Sequence, residues 1–156
     1  MILSSGTCRS CGFKYRDVRV AEATKPKQII VRVLGEEQLR YLLVKSALTG
    51  VLIPEQGYEI VPGPASTGFI STVEGILHRI MDALEVACRD APEKKEECEK
   101  HRRWLQEAID GKRRFTLILC DFEGASKVIG KLVEERELGK ECERFREYVK
   151  DRLPPT

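Results

Sequence analysis

The stretch Phe115-Thr116-Leu117-Ile118-Leu119 is apolar at nearly every position, so a strand built from it carries apolar side chains on both faces. Such a strand cannot sit with one face in water. It is central, or it is covered by another layer. Lys112-Arg113-Arg114 leads into it, and Asp121-Phe122-Glu123-Gly124 closes it as a turn.

Immediately upstream the period is helical. Ser71-Thr72-Val73-Glu74 fits a capping box, with Ser71 covering exposed amides and Glu74 reaching back. The apolar set Val73, Ile76, Leu77, Ile80, Met81, Leu84 and Cys88 then recurs at offsets of three and four, which makes one helical stripe. Asp90-Ala91-Pro92 ends that helix. A second runs from Glu93 to Gly111 with Cys98, His101, Leu105, Ala108 and Ile109 as its inner face. Residues 71–111 therefore read as a helical hairpin set before the doubly apolar strand.

Further out the period returns to two. Gln28 to Leu34 alternates, with Ile29, Val31 and Val33 on one face, and Phe13 to Ala23 alternates less cleanly across the Lys25-Pro26-Lys27 turn. Leu39, Tyr41 and Leu43 oppose Arg40, Leu42 and Val44 as a further strand. Gly50, Pro54, Gly57, Pro62, Gly63, Pro64 and Gly68 punctuate the segment that follows. Lys127 to Ile129 is a last strand, and Gly139 to Leu153 supplies a charged C-terminal helix before Pro154-Pro155. The expected fold class is α+β, mainly β. Residues 1–13 carry a C-x-x-C knuckle, 14–131 are expected to form a β-body with the hairpin at 71–111, and 132–156 a C-terminal helix and tail.

With 156 residues, 42% hydrophobic and 33% charged, the composition is that of one globular body, and its wealth of Lys, Arg and Glu suggests a heat-adapted source. A net charge of +2 gives no general argument for nucleic-acid binding. The longest largely apolar run, about six residues around Phe115 to Cys120, is far below the roughly 20 a membrane span requires. Met1-Ile2-Leu3-Ser4-Ser5 lacks a secretion signal's basic start and apolar centre, so the expected address is cytoplasmic.

Cys8-Arg9-Ser10-Cys11-Gly12 is a knuckle that presents two thiolates from a tight turn, half of a tetrahedral zinc site. No second C-x-x-C follows. Cys8 and Cys11 could take two more ligands from a second chain, pair with each other, or stay free. Cys88 and Cys98 lie near the facing ends of the hairpin helices. Either they form a disulfide, closing a loop of about 11 residues for roughly 3 kcal/mol, or they are two small buried side chains. Cys120 and Cys142 read as ordinary buried or half-buried cysteines. His78 and His101 are the only histidines, both on predicted helices, so the strands cannot assemble a cupin-type metal centre. With no phosphate loop or nucleophile elbow either, no enzyme is expected.

Five segments, Cys8-x-x-Cys11-Gly12, Val44-Lys45-Ser46, Ile53-Pro54-Glu55, Thr72-Val73-Glu74-Gly75 and Asp121-x-x-Gly124-x-Ser126, follow in the order and spacing of a known family. From Leu3 to Ile129 the chain resembles the ZPR-type zinc-finger proteins, in particular an archaeal single-module member. The resemblance implies a zinc finger followed by a double-stranded β-helix, a jelly-roll-like body, with an inserted helical hairpin. It implies zinc as the family's metal, and binding and chaperoning of translation elongation factor 1-alpha. The family's finger has two knuckles; here the chain begins between them, so the half site at Cys8 and Cys11 is expected to be metal-free alone or completed by a partner. The turn Cys120-Asp121-Phe122-Glu123-Gly124-Ala125-Ser126 departs from the family's Asp-Asp-Pro-x-Gly-Asn-Ser, having lost an aspartate, the proline and the asparagine.

Ser46, Glu55, Asp121 and Ser126 are the partner-contact candidates among the motif residues, each set against a local structural role. For Glu74, capping accounts for the carboxylate. Trp104 is a candidate anchor if exposed. Arg102, Arg103, Lys112, Arg113 and Arg114 could form a basic patch, diluted by Glu96, Glu97, Glu99 and Glu107. The main expectation is a non-enzymatic binding protein, and the alternative is a zinc-ribbon-type nucleic-acid or ribosome-associated protein.

Overall fold

The computed structural model describes residues 25–62 and 67–153. Cys8, Cys11 and the proposed strand Phe13 to Ala23 lie outside them. The elements in order are β1 (Lys27–Val33), α1 (Glu36–Leu39), β2 (Leu42–Lys45), β3 (Thr49–Ile53), β4 (Tyr58–Ile60), β5 (Phe69–Thr72), α2 (Val73–Arg89), α3 (Lys95–Ile109), β6 (Phe115–Asp121), β7 (Lys127–Ile129) and β8 (Val133–Arg136). A 3-10 segment, Lys140–Phe145, then runs into a single α-turn, α4 (Arg146–Val149).

The strands form two antiparallel sheets, one of order β4-β3-β6-β1-β8 and one of order β5-β2-β7. The doubly apolar stretch is β6, the middle strand of the larger sheet. It pairs with β1 along its whole length, from Val33 opposite Phe115 to Lys27 opposite Asp121, and with β3 on its other edge. Its odd residues, Phe115, Leu117 and Leu119, join Ile29, Val31, Val51, Leu43 and the hairpin residues Ile76, Leu77 and Leu105 in one core. Its even residues, Ile118 and Cys120, join Ile30, Leu52, Phe145 and Val149 in a second. The sheet is thus covered on one face by the smaller sheet and hairpin, and on the other by the C-terminal segment.

That segment is not the continuous helix its charge pattern suggested. Cys142 and Phe145 are three residues apart, matching the 3-10 repeat, and Val149 follows at four, so a tight turn followed by an α-turn aims all three at the sheet. Cys142 is bonded to Cys120 of β6, with Cα atoms 5.5 Å apart, which corrects the reading of these two as ordinary cysteines. β8 pairs with β1 and was not foreseen, and the β-body accordingly runs past residue 131.

The strand expected from Leu39 begins only at Leu42, because Leu39 ends a helical turn, Glu36–Leu39, in which the Gln38 side chain accepts hydrogen bonds from the Leu34 and Gly35 amides. Leu39, Tyr41 and Leu43 still face the core. The hairpin cap is Thr72, whose Oγ1 accepts from the Gly75 amide at 3.1 Å, and not Ser71, since β5 continues through Thr72. Glu74 does not reach back; it pairs with His78 at 3.6 Å on the exposed face.

Gly50 in β3 lies beneath the Phe145 ring, and a Cβ there would come within 2.6 Å of it. Gly50→Ala should therefore destabilise by about 1–3 kcal/mol, and Phe145→Ala by about 3–5 kcal/mol. In a double-mutant cycle read by urea unfolding, the Gly50→Ala cost should largely vanish in the Phe145→Ala background, where the ring is gone.

Candidate functional site

The chain crosses between the two sheets at two neighbouring corners, 46–48 between β2 and β3 and 122–126 between β6 and β7. The motif residues meet there. Asp121, Ser46 and Ser126 are 0%, 1% and 2% exposed, and Thr49, fully buried, completes the group. Asp121 Oδ1 accepts from the Glu123 amide at 3.1 Å and the Gly124 amide at 2.9 Å, and Oδ2 accepts from the Ser126 amide at 2.6 Å. Gly124 supplies the positive φ of 75° that this turn needs.

Three hydroxyls, each with a single proton, tie the corners to one another and to Asp121. The Ser46 amide donates to Ser126 Oγ at 2.9 Å, and the Thr49 hydroxyl is hydrogen-bonded to Ser126 Oγ at 2.9 Å and to Ser46 Oγ at 2.7 Å. Ser46 then donates to Asp121 Oδ1 at 3.2 Å, and Thr49 Oγ1 also lies 3.2 Å from that oxygen. Glu123 reaches back to accept from the Leu48 amide at 3.0 Å. Ser46, Asp121 and Ser126 are thus committed to one another and their side chains do not face a partner. Thr49 escaped the sequence reading; its signal was the three-residue spacing from Ser46.

Lys45 lies beside this corner, 2% exposed, donating to the Ser46 carbonyl at 3.1 Å with its ammonium 5.3 Å from the Phe69 ring centre. Arg79 stacks on the same ring at 3.8 Å. Burial, with the nearby charge of Arg79, lowers the Lys45 pKa to about 8 against the pull of Asp121 and Glu123.

Glu55 is exposed, and its bond is not local to its own turn. Its two carboxylate oxygens accept from the Thr116 amide at 3.1 Å and the Thr116 hydroxyl at 2.8 Å, 61 residues away. Trp104 is half-buried rather than exposed, packed edge-to-face on Tyr58 and Phe115 with ring centres 5.7 and 5.6 Å away. Beside it a cleft of about 580 Å3 is lined by Gln56, Lys100, His101, Arg103, Trp104 and Arg113, among others. Burial raises the Tyr58 phenol to about 12, and its hydroxyl shares a hydrogen bond with His101 Nδ1 at 2.7 Å. The basic patch is partly neutralised: Arg102 bonds Glu85 and Glu99, and Arg113 bonds Glu107. The Cys88 and Cys98 sulfurs are bonded at the end of the hairpin.

A two-sheet antiparallel sandwich with an inserted helical hairpin, its corners locked by a buried carboxylate, is a jelly-roll module. The model of the ZPR1 jelly-roll domain matches residues 37–150, and the chain belongs to the ZPR1 family. It is 38% identical to an uncharacterized ZPR1-like protein of Methanocaldococcus jannaschii over 91% of this chain and 73% of that protein. A second uncharacterized ZPR1-like protein, from Pyrococcus horikoshii, is 35% identical over 88% of this chain and 64% of its own length. The zinc finger chaperone zpr1 of Schizosaccharomyces pombe is 30% identical over 78% of this chain, which spans only 28% of that relative. The zinc finger in this last name is that relative's. The residues here that would serve such a finger, Cys8 and Cys11, lie outside those described.

Asp121→Asn would set an amide against amide and hydroxyl donors and should cost about 2–3 kcal/mol in urea unfolding. Lys45 gives a pH signature. With a folded-state pKa near 8 against an ordinary value of 10.5, the unfolded chain holds the proton that the native protein has released between those limits, so stability rises with pH there. Thermal or urea unfolding should show a gain on the order of 1 kcal/mol from pH 7 to 9 that Lys45→Met lacks.

Proposed function

We infer that this chain is a non-enzymatic, cytoplasmic binding protein whose partner is translation elongation factor 1-alpha, which it engages to assist folding or handover. The observation that carries this reading is the commitment of the motif side chains. Asp121, Ser46, Thr49 and Ser126 satisfy one another inside the sandwich, which is what a rigid scaffold requires and leaves no reactive group of theirs at a surface. The recognition chemistry then falls to what the scaffold displays: the outer face of the hairpin and the cleft between α3 and the β3–β4 turn. The cleft is also lined by Glu97 and by Glu107, which is paired with Arg113, and Lys100 and Arg103 add cations beside an aromatic edge, chemistry suited to an acidic protein surface. The name of the fission-yeast relative, a zinc finger chaperone, supports a chaperone role here.

Co-purification and a refolding assay with the cognate elongation factor test this. The wild-type chain is expected to bind the factor and raise its refolded yield, and Lys100→Glu/Arg103→Glu to weaken binding about tenfold without loss of stability. Absence of binding, or instead a salt-steep RNA affinity that falls when Arg113 and Arg114 are replaced, would overturn the reading.

A further inference from the structure

The two disulfides among the described residues stand in different surroundings. Cys120 and Cys142 are 0% and 1% exposed, closed in beneath Phe122 and Phe145. Cys88 and Cys98 instead line a surface cleft of about 270 Å3, together with Arg89, Pro92, Lys95 and Arg102. Cys88 is half-buried and Cys98 is 9% exposed. Thiol–disulfide exchange requires a thiolate to approach one sulfur along the S–S axis, so access selects between bridges before any intrinsic reactivity does.

We propose that Cys88–Cys98 is a thiol–disulfide exchange site for dithiol reductants, with Cys88 the sulfur attacked and Cys98 the leaving thiolate. The two ends are chemically unequal. Cys88 stands in the last turn of α2, among outward-pointing carbonyls that disfavour a thiolate; Cys98 stands in the first turn of α3, near amides that favour one. The sulfur with the better stabilised thiolate leaves faster, and here it is also the more buried of the two. Arg89 and Lys95 at the cleft draw an anionic thiolate in, while Arg102 is already engaged by Glu85 and Glu99.

The electrons balance over two steps. One thiolate of the reductant attacks Cys88 Sγ; the S–S bond breaks and its electron pair leaves on Cys98 Sγ. The reductant's second thiolate then attacks its own sulfur in the mixed disulfide, forming the reductant's internal disulfide and releasing Cys88 as a thiolate that takes a proton from water. The dithiol is oxidised by two electrons and the cystine is reduced by two.

The consequence is local. The base of the hairpin is held by Val73, Leu77, Leu105 and Ala108 within the main core, whether or not the bridge is closed. Reduction therefore loosens the far end, residues 86–97, and leaves the sandwich intact.

The oxidised wild-type chain, incubated with glutathione at neutral pH, acid-quenched, alkylated and mapped by peptide mass spectrometry, is expected to carry glutathione on Cys88 and the alkyl group on Cys98, with Cys120–Cys142 intact. With dithiothreitol, amide hydrogen exchange over 86–97 should accelerate tenfold or more while Phe115–Asp121 stays protected. A Cys88→Ser/Cys98→Ser variant should show that fast exchange without reductant. An adduct on Cys98, reduction of both bridges at one rate, or unchanged exchange over 86–97 would overturn the proposal.

Discussion

The carboxylate of Asp121 is the point on which both sheets depend. It ends the central strand of one sheet, caps the turn that carries the chain to the other, and through Ser46 and Thr49 holds the second corner where the chain returns. Two sheets facing across an apolar core have no directional bond between them, since dispersion and burial are indifferent to small slips. A buried charge that accepts three backbone amides and a hydroxyl is directional, and it fixes how the corners meet. The apolar sides of β1, β3 and β6 then fall into place against the smaller sheet.

Much of this architecture was legible because it follows from period. An apolar run on both faces gave the central strand, and offsets of three and four gave the hairpin with its inner face of Val73, Ile76, Leu77 and Ile80. What escaped has its cause outside local pattern. β8, Val133–Arg136, is a charged edge strand that exists because β1 offers it a ladder. β3 and β4 were hidden among turn residues: Gly50 lies inside β3 beneath Phe145, and Pro54 and Gly57 form the turn between the two strands. The C-terminal segment takes its shape from the sheet it covers, and the Cys120–Cys142 bond joins residues whose proximity no spacing announces.

The site was legible as residues and illegible as an arrangement. Ser46, Asp121 and Ser126 stood out as separate turn formers, yet they are parts of one cluster that spans 75 to 80 positions of sequence. Thr49 carried little signal, since a threonine beginning a strand is unremarkable. Lys45 looked like any lysine in a motif, and only burial beside Phe69 and Arg79 makes its charge costly.

The Glu55 contact bears on how the protein keeps to itself. β3 pairs with β6 only from Ile118 onward, so the first half of that edge would offer a bare Thr116 amide to any extended chain in solution. Unpaired edges of this kind are where sheets add foreign strands and begin to aggregate. Glu55 occupies the place with a charged side chain, accepting the amide that a neighbouring strand would have taken. A single carboxylate on a rigid turn finishes the sheet where the backbone stops short.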